Sequence, residues 1–162
     1  MMTHPGCNTN VGLLPLRVID VGMPGTRCPF LYISRGNPDF YTALSHCWGS
    51  SALLRTTESN IDAHKEEIPR TVLSKTFQDA ITTTQELAIR YLWIDSTCIL
   101  QDDKEDWEVQ SGQMASIYSN AQVVLAATDA ENGTKGFLSR SLSWPMKGPF
   151  TMTTELGKTC SV

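Results

Sequence analysis

The sequence predicts an α/β domain: a parallel sheet with flanking helices, preceded by an N-terminal β extension. Three observations predict it. "YLWI" (91–94) is four large apolar residues without alternation, the mark of a strand covered on both faces. "VVLAAT" (123–128) is a second run of that buried type. Helix-periodic stretches precede each of them, so the chain reads strand, loop, helix, strand, helix, strand. That alternation builds parallel sheets through right-handed crossovers.

Each element has its own warrant. "LRVIDVG" (16–22) alternates well enough for a short edge strand, and "PFLYIS" (29–34) follows it after the turn-forming "MPGTRC". "FYTALSHCW" (40–48) comes after Asn37-Pro38-Asp39, a turn signal. From Gly49 to Leu73 no period is visible, and loops that long inside a domain are often functional. Phe77, Ala80, Ile81, Thr84, Leu87 and Ala88 then share one helical face, with Ser74 as N-cap and Arg90 in the last turn beside the helix dipole. A second helix is expected from Lys104 to Asn120, with Trp107, Met114, Ile117, Tyr118 and Ala121 facing inward. Residues 1–13 read as a flexible N-terminus, 14–140 as the domain, and 141–162 as a loosely ordered tail without a periodic face to bury.

With 162 residues, 41% of them hydrophobic, one domain can bury a real core. Acidic residues outnumber basic ones 17 to 13, and the Lys and Arg form no block, which argues against a nucleic-acid groove. No apolar run reaches the ~20 residues of a membrane span. "MMTHPGCNTN" has neither a basic n-region nor an apolar h-region. Five widely spaced cysteines with no C-x-x-C suit a reduced, cytoplasmic protein rather than a disulfide framework. The usual dinucleotide and P-loop glycine signatures are missing.

The most charged stretch directly follows the most apolar one: "YLWIDSTCILQDDKEDW" (91–107). Asp102 or Asp103 stands where the second helix needs an N-cap. With Asp102 as cap, Glu105 falls at N3, and carboxylates in a first turn each contribute about 0.3–1 kcal/mol. Asp95 differs, because it ends a strand before that helix begins. Ligands of open α/β sheets bind outside the carboxyl ends of the strands. Ser45, His46, Cys47 and Trp48 are expected at the same edge, as are Thr128, Asp129 and Glu131; a structural Asp95 bonding loop amides is the competing reading. Trp48-Gly49 reads as an aromatic anchor with a sharp exit from the strand. His46, Cys47, Asp95 and Cys98 lack the spacing of a zinc site. Cys98, among Thr97, Ile99 and Leu100, sits in an apolar setting that makes a poor nucleophile. His4 and His64 have no local partners and are expected at the surface.

"YTALSHCWG" (41–49), "TFQDAI" (76–81), "YLWIDSTCILQDDKEDWEVQSGQMASIYSNA" (91–121) and "GFLSR" (136–140) together resemble the heterokaryon-incompatibility (HET) domain of filamentous fungi. "LPLRVIDVG" (14–22) is similar to the segment that commonly precedes it. The resemblance implies a flavodoxin-like arrangement, akin to Toll/interleukin-1 receptor domains. It also implies a cytoplasmic module of non-self recognition that triggers programmed cell death by self-association or by docking on protein partners. No cofactor is required by that reading. Some relatives in the wider group cleave NAD at the nicotinamide–ribose bond, which makes NAD a candidate substrate. Asp95, Asp129 and Glu131 are then the candidate catalytic carboxylates, and Ser45, His46, Trp48, Gly49 and Gln101 the candidate ligand contacts. HET proteins usually continue well beyond the domain, whereas this chain stops 22 residues after Arg140, so a truncated, inactive fragment is the third expectation.

Overall fold

The N-terminal extension folds into β1 (Arg17–Asp20) and β2 (Phe30–Ile33), an antiparallel pair, and β3 (Tyr41–His46), β4 (Tyr91–Trp93) and β5 (Val123–Ala127) complete a five-stranded sheet. In this computed structural model the described residues are 11–25, 27–46, 54–127 and 136–138, with the backbone alone of 151–153 and 159–161. The lateral order is β2-β1-β4-β3-β5. β3 runs parallel to both β4 and β5, whereas β1 is antiparallel to β4, so the sheet is mixed. Two short antiparallel strands, β6 (Thr151–Thr153) and β7 (Thr159–Ser161), lie within the stretch expected to be a loose tail; most of that stretch is outside the described residues. Among the described residues no helix is long and apolar enough to cross a membrane.

Two-sided burial holds for β4: Leu92, Trp93 and the following Ile94 are at most 1% exposed. It does not hold for β5, which is an edge strand with Val124 and Ala126 exposed. An unbroken apolar run cannot distinguish a central strand from an edge one. β1, expected at an edge, is instead inserted between β2 and β4. Its RVID stretch is buried throughout, including Arg17 and Asp20.

Helix α1 (Ile61–Glu66) and a 3-10 turn (Arg70–Val72) occupy the stretch that carried no sequence period. His64 is buried there rather than at the surface, 3.0 Å from the Thr56 hydroxyl. Thr56 gives its single hydroxyl hydrogen to the Thr97 carbonyl at 2.6 Å, so the imidazole Nδ1–H of His64 is the donor to Thr56. Burial lowers the His64 pKa and keeps that imidazole neutral.

Helix α2 (Lys75–Glu86) begins as expected, with the Ser74 hydroxyl accepting from Phe77 N–H. Phe77, Ala80, Ile81 and Thr84 point into the core. Thr84 donates to the Ala80 carbonyl, so the 2.7 Å contact with Thr42 is a hydrogen bond from Thr42 that ties α2 to β3. The helix stops at Glu86, two residues before the end of the face its period marked. Ala88 takes φ +56°, and Ile89 N–H returns to the Thr84 carbonyl, a Schellman-type ending. Leu87 and Ala88 are consequently exposed, and Arg90 pairs with Asp20 instead of serving a last turn.

The expected second helix is two: α4 (Lys104–Gly112) and α5 (Met114–Asn120), after a one-turn α3 (Asp95–Cys98). Gly112, a weak helix former, precedes the break at Gln113, whose N–H bonds to the i−3 carbonyl of Gln110. Ile117 stays inward, with Met114, Tyr118 and Ala121 packed on the core, but Trp107 is 51% exposed and Gln110 is buried in its place.

One carboxylate closes the fold. Asp79, buried on α2, accepts N–H bonds from Phe137 (2.8 Å) and Leu138 (3.0 Å) on one oxygen and pairs with Lys75 through the other. Gly136 passes so near that an added Cβ would lie 2.3 Å from Asp79 Oδ2, and its φ is +65°. Burial alone would raise the Asp79 pKa, but Lys75 and the two amides outweigh it and hold the carboxyl below its usual range.

Three outcomes are expected. Ala88→Gly, which relieves an L-residue of left-handed backbone, raises stability by roughly 0.5 kcal/mol in urea unfolding. Asp79→Ala strands two amides and lowers stability by about 2 kcal/mol. Because the folded pKa of Asp79 is depressed, its contribution is complete above the ordinary carboxylate range and lost as pH falls through the folded value. The difference between wild type and Asp79→Ala therefore shrinks in acid, and a pH-independent difference contradicts the assignment.

Candidate functional site

The carboxyl ends of β3 and β4 bring His46 and Asp95 together. His46 Nδ1 and Asp95 Oδ1 are 3.9 Å apart, too long for a direct hydrogen bond but close enough for the carboxylate to favour a proton on the imidazole. Only 2% of the His46 side chain and 13% of the Asp95 side chain are exposed. Phe77 from α2 meets the imidazole edge-on, with ring centroids 5.2 Å apart. Burial pushes the His46 pKa below its usual value, against the opposing pull of Asp95, so the imidazole rests neutral. That arrangement can accept a proton or stabilise developing positive charge.

Asp95 is not the isolated strand-end residue the sequence suggested. It opens α3, and its Oδ1 accepts the N–H of Ser96 at 2.7 Å. First-turn placement therefore accounts for part of its role. Gln101 gives its amide hydrogens to the carbonyls of Asp95 (3.2 Å) and Ile99 (3.0 Å), which closes the turn beneath the carboxylate. Ser45 is exposed one position before His46, paired in register with Ala126. His46 itself stands opposite Ala127, so β5 ends at the same rim. Trp48, Gly49, Asp129 and Glu131 lie outside the described residues, as does Cys47.

The acidic run divides into distinct tasks. Asp103, rather than Asp102, is the N-cap of α4, accepting from Glu105 and Asp106 N–H. Asp102 accepts from Glu58 N–H (3.0 Å) and fixes the approach to α1. Asp106 forms a buried ion pair with Arg17 and accepts from Leu100 N–H at 2.8 Å. Arg17 also donates through Nε to the Cys98 carbonyl at 2.6 Å. The turn that carries Asp95 is thus clamped at Cys98 and Leu100 by two residues 89 positions apart in sequence.

Sequence reading missed Arg17, Asp106 and Tyr118 as supports of this rim. Tyr118 donates to the Leu44 carbonyl (3.2 Å) and meets Trp93 edge-on at 5.5 Å. Burial, with a smaller push from Asp95, raises its hydroxyl to about 12. The available signal was Arg17 itself, a charge inside the apolar alternation of LRVI. Cys98 is fully buried, and burial pushes its thiol up to about 11, far from nucleophilic. Among the described residues no three His, Cys, Asp or Glu side chains gather as metal ligands do.

Comparison with known proteins agrees with this set of motifs. A family model described as Heterokaryon incompatibility protein (HET) matches residues 41–158. "Heterokaryon incompatibility protein 6, OR allele" of Neurospora crassa is 30% identical over 128 residues. That match covers 73% of this chain and 18% of the relative, so the chain spans under a fifth of the relative's length. No solved structure matches the chain. The family match contains β3, α2, β4 and its acidic run, and β5, the elements that build the rim, and the chain belongs to the heterokaryon-incompatibility (HET) family.

Proposed function

We propose that this chain is a HET module of fungal non-self recognition that acts in the cytoplasm by protein association and promotes programmed cell death. The observation that supports association is β5. It is an edge strand of sequence VVLAA, without charge, proline or bulge, and among the described residues nothing pairs with its outer side. Natural edges are normally blunted by such devices, and an unblunted one is a template for a further strand. The opposite edge, β2, packs against α1. A flavodoxin-like, Toll/interleukin-1 receptor-like arrangement belongs to the same reading. Counted along the chain, the parallel strands lie in the order 2-1-3, which is how a flavodoxin-like sheet begins.

Size-exclusion chromatography with light scattering over a range of concentrations tests the reading. Concentration-dependent self-association is expected, and Ala126→Lys, at a side chain already exposed, abolishes it without altering the melting temperature. A strictly monomeric protein that also fails to cause death on overexpression overturns it.

A second reading, hydrolysis of NAD, is favoured by one specific feature. His46 and Asp95 stand at the carboxyl ends of adjacent parallel strands, beside the point where the strand order reverses between β3 and β5, the usual crevice of such sheets. The nicotinamide–ribose C–N bond breaks, its electron pair leaving with nicotinamide. A carboxylate stabilises the oxocarbenium-like sugar until water adds to the same carbon and gives up its proton. Asp95, Asp129 and Glu131 are the carboxylates proposed for this work, with Ser45, His46, Trp48, Gly49 and Gln101 as ligand contacts. Nicotinamide release from NAD is the assay. Asp95→Asn is expected to lower the rate about 100-fold or more, and release that is absent, or undiminished when all three carboxylates are changed to alanine, removes this reading.

A further inference from the structure

A second cleft lies at the opposite end of the sheet, where β1 exits and β4 begins. It has a volume of about 400 Å³ and is lined by Gly22, Met23, Arg27, Ala88, Ile89 and Arg90, with Asp20 and Gln85 at its back. Its walls are set by hydrogen bonds rather than by the rim residues. Val21 N–H bonds to the Arg90 carbonyl at 3.0 Å, and Gln85 donates to the Val21 carbonyl at 2.7 Å. The carbonyls that end α2 are already spent: Leu87, Ala88 and Ile89 N–H bond back to Thr83, Gln85 and Thr84. The negative end of that helix is thereby capped.

Two arginines line this space, each with donors that no hydrogen bond among the described residues uses. Asp20 takes Arg90 from one side only, both Nε (3.0 Å) and Nη2 (2.7 Å) bonding to the same oxygen. Arg90 Nη1 makes no hydrogen bond among the described residues, and 61% of the side chain is exposed. Arg27 sits over the Phe30 ring, its central carbon 3.7 Å from the centroid, and makes no hydrogen bond among the described residues. Stacking fixes the plane of a guanidinium and leaves its edge free for a forked contact. Asp20 accepts from Gly22 N–H on one oxygen and from Arg90 on the other, so the ion pair of this carboxylate is with Arg90 and not with Arg27. Met23, Ala88 and Ile89 supply the apolar part of the lining.

We propose that this cleft binds a small organic anion, its carboxylate held by Arg27 and Arg90 and its apolar body laid over Met23 and Ile89. The volume falls in the range of small-molecule sites, and apolar walls with a few fixed polar groups are how such sites are built. A forked guanidinium suits a planar carboxylate. The bare anion satisfies only the cations, and the neutral isostere satisfies only the apolar floor.

Benzoate, benzamide and inorganic phosphate, titrated into the full chain and followed by amide NMR shifts, test the proposal. Benzoate is expected to saturate, with shifts concentrated at Gly22, Met23, Arg27 and 88–90. Benzamide and phosphate each bind about tenfold more weakly, as does benzoate to Arg27→Gln. Among the described residues Arg27 makes no hydrogen bond, so that variant loses only the contact with Phe30 and its melting temperature falls by no more than about 4 °C. Benzoate that fails to saturate in the millimolar range, benzamide or phosphate binding as well as benzoate, or full affinity in Arg27→Gln overturns the site. The benzamide comparison needs no variant, and none of these readings depends on what the rim at His46 and Asp95 does.

Discussion

The structure depends on the complete burial of β4. Leu92, Trp93 and Ile94 are sealed by α2 on one side and by the packing of Trp93 against Tyr118 of α5 on the other, and β1 and β3 take up the strand's two edges. A strand in that position can bond to neighbours of either sense. Here it joins the antiparallel extension to the parallel strands, so the N-terminal segment is part of the sheet rather than an appendage. Burying a side chain of this size stabilises by about 1.5–3 kcal/mol, and three in succession anchor everything hung from the strand's end.

What hangs there is the turn with Asp95, and electrostatics fix it. Arg17, buried in β1, reaches the Cys98 carbonyl and pairs with Asp106, which in turn holds Leu100 N–H. A buried ion pair contributes little net stability unless its remaining hydrogen-bonding capacity is used, and here it is used on the backbone of the turn. The same economy recurs at Asp79, whose carboxylate organises Lys75 and two amides of the 136–138 segment. Four of the acidic residues that look alike in sequence (Asp79, Asp102, Asp103 and Asp106) thus serve as anchors of backbone. Asp95, also bonded to a neighbouring amide, keeps its other relation, with His46.

That division bears on function. The association proposed for this HET domain would use the exposed edge of β5, and the proposed NAD hydrolysis would use the His46–Asp95 rim. The two features sit on different parts of the sheet, joined by the β3–β5 pairing. The arginine cleft is at the far end, beside Asp20 and the last turn of α2. The cleft is thus set apart from the rim along the strands, whereas the edge strand β5 reaches the rim through the pairing of Ala127 with His46.

The periodicity of α2, the buried run of β4 and the convergence of His46 with Asp95 were all legible in the sequence, because each follows from local pattern and the rule that parallel strands end at one edge. Composition likewise placed the acidic run at a helix start. Lateral position was not legible: β1 became internal and β5 an edge, since strand order is decided by which neighbours can complete the hydrogen-bonding of β4. Nor was the choice of which acid caps, which pairs and which stays at the rim. Arg17 and Asp106 are too far apart along the chain for any local signal, and only packing β1 against the turn after β4 brings a buried cation within reach of a carboxylate that must neutralise it.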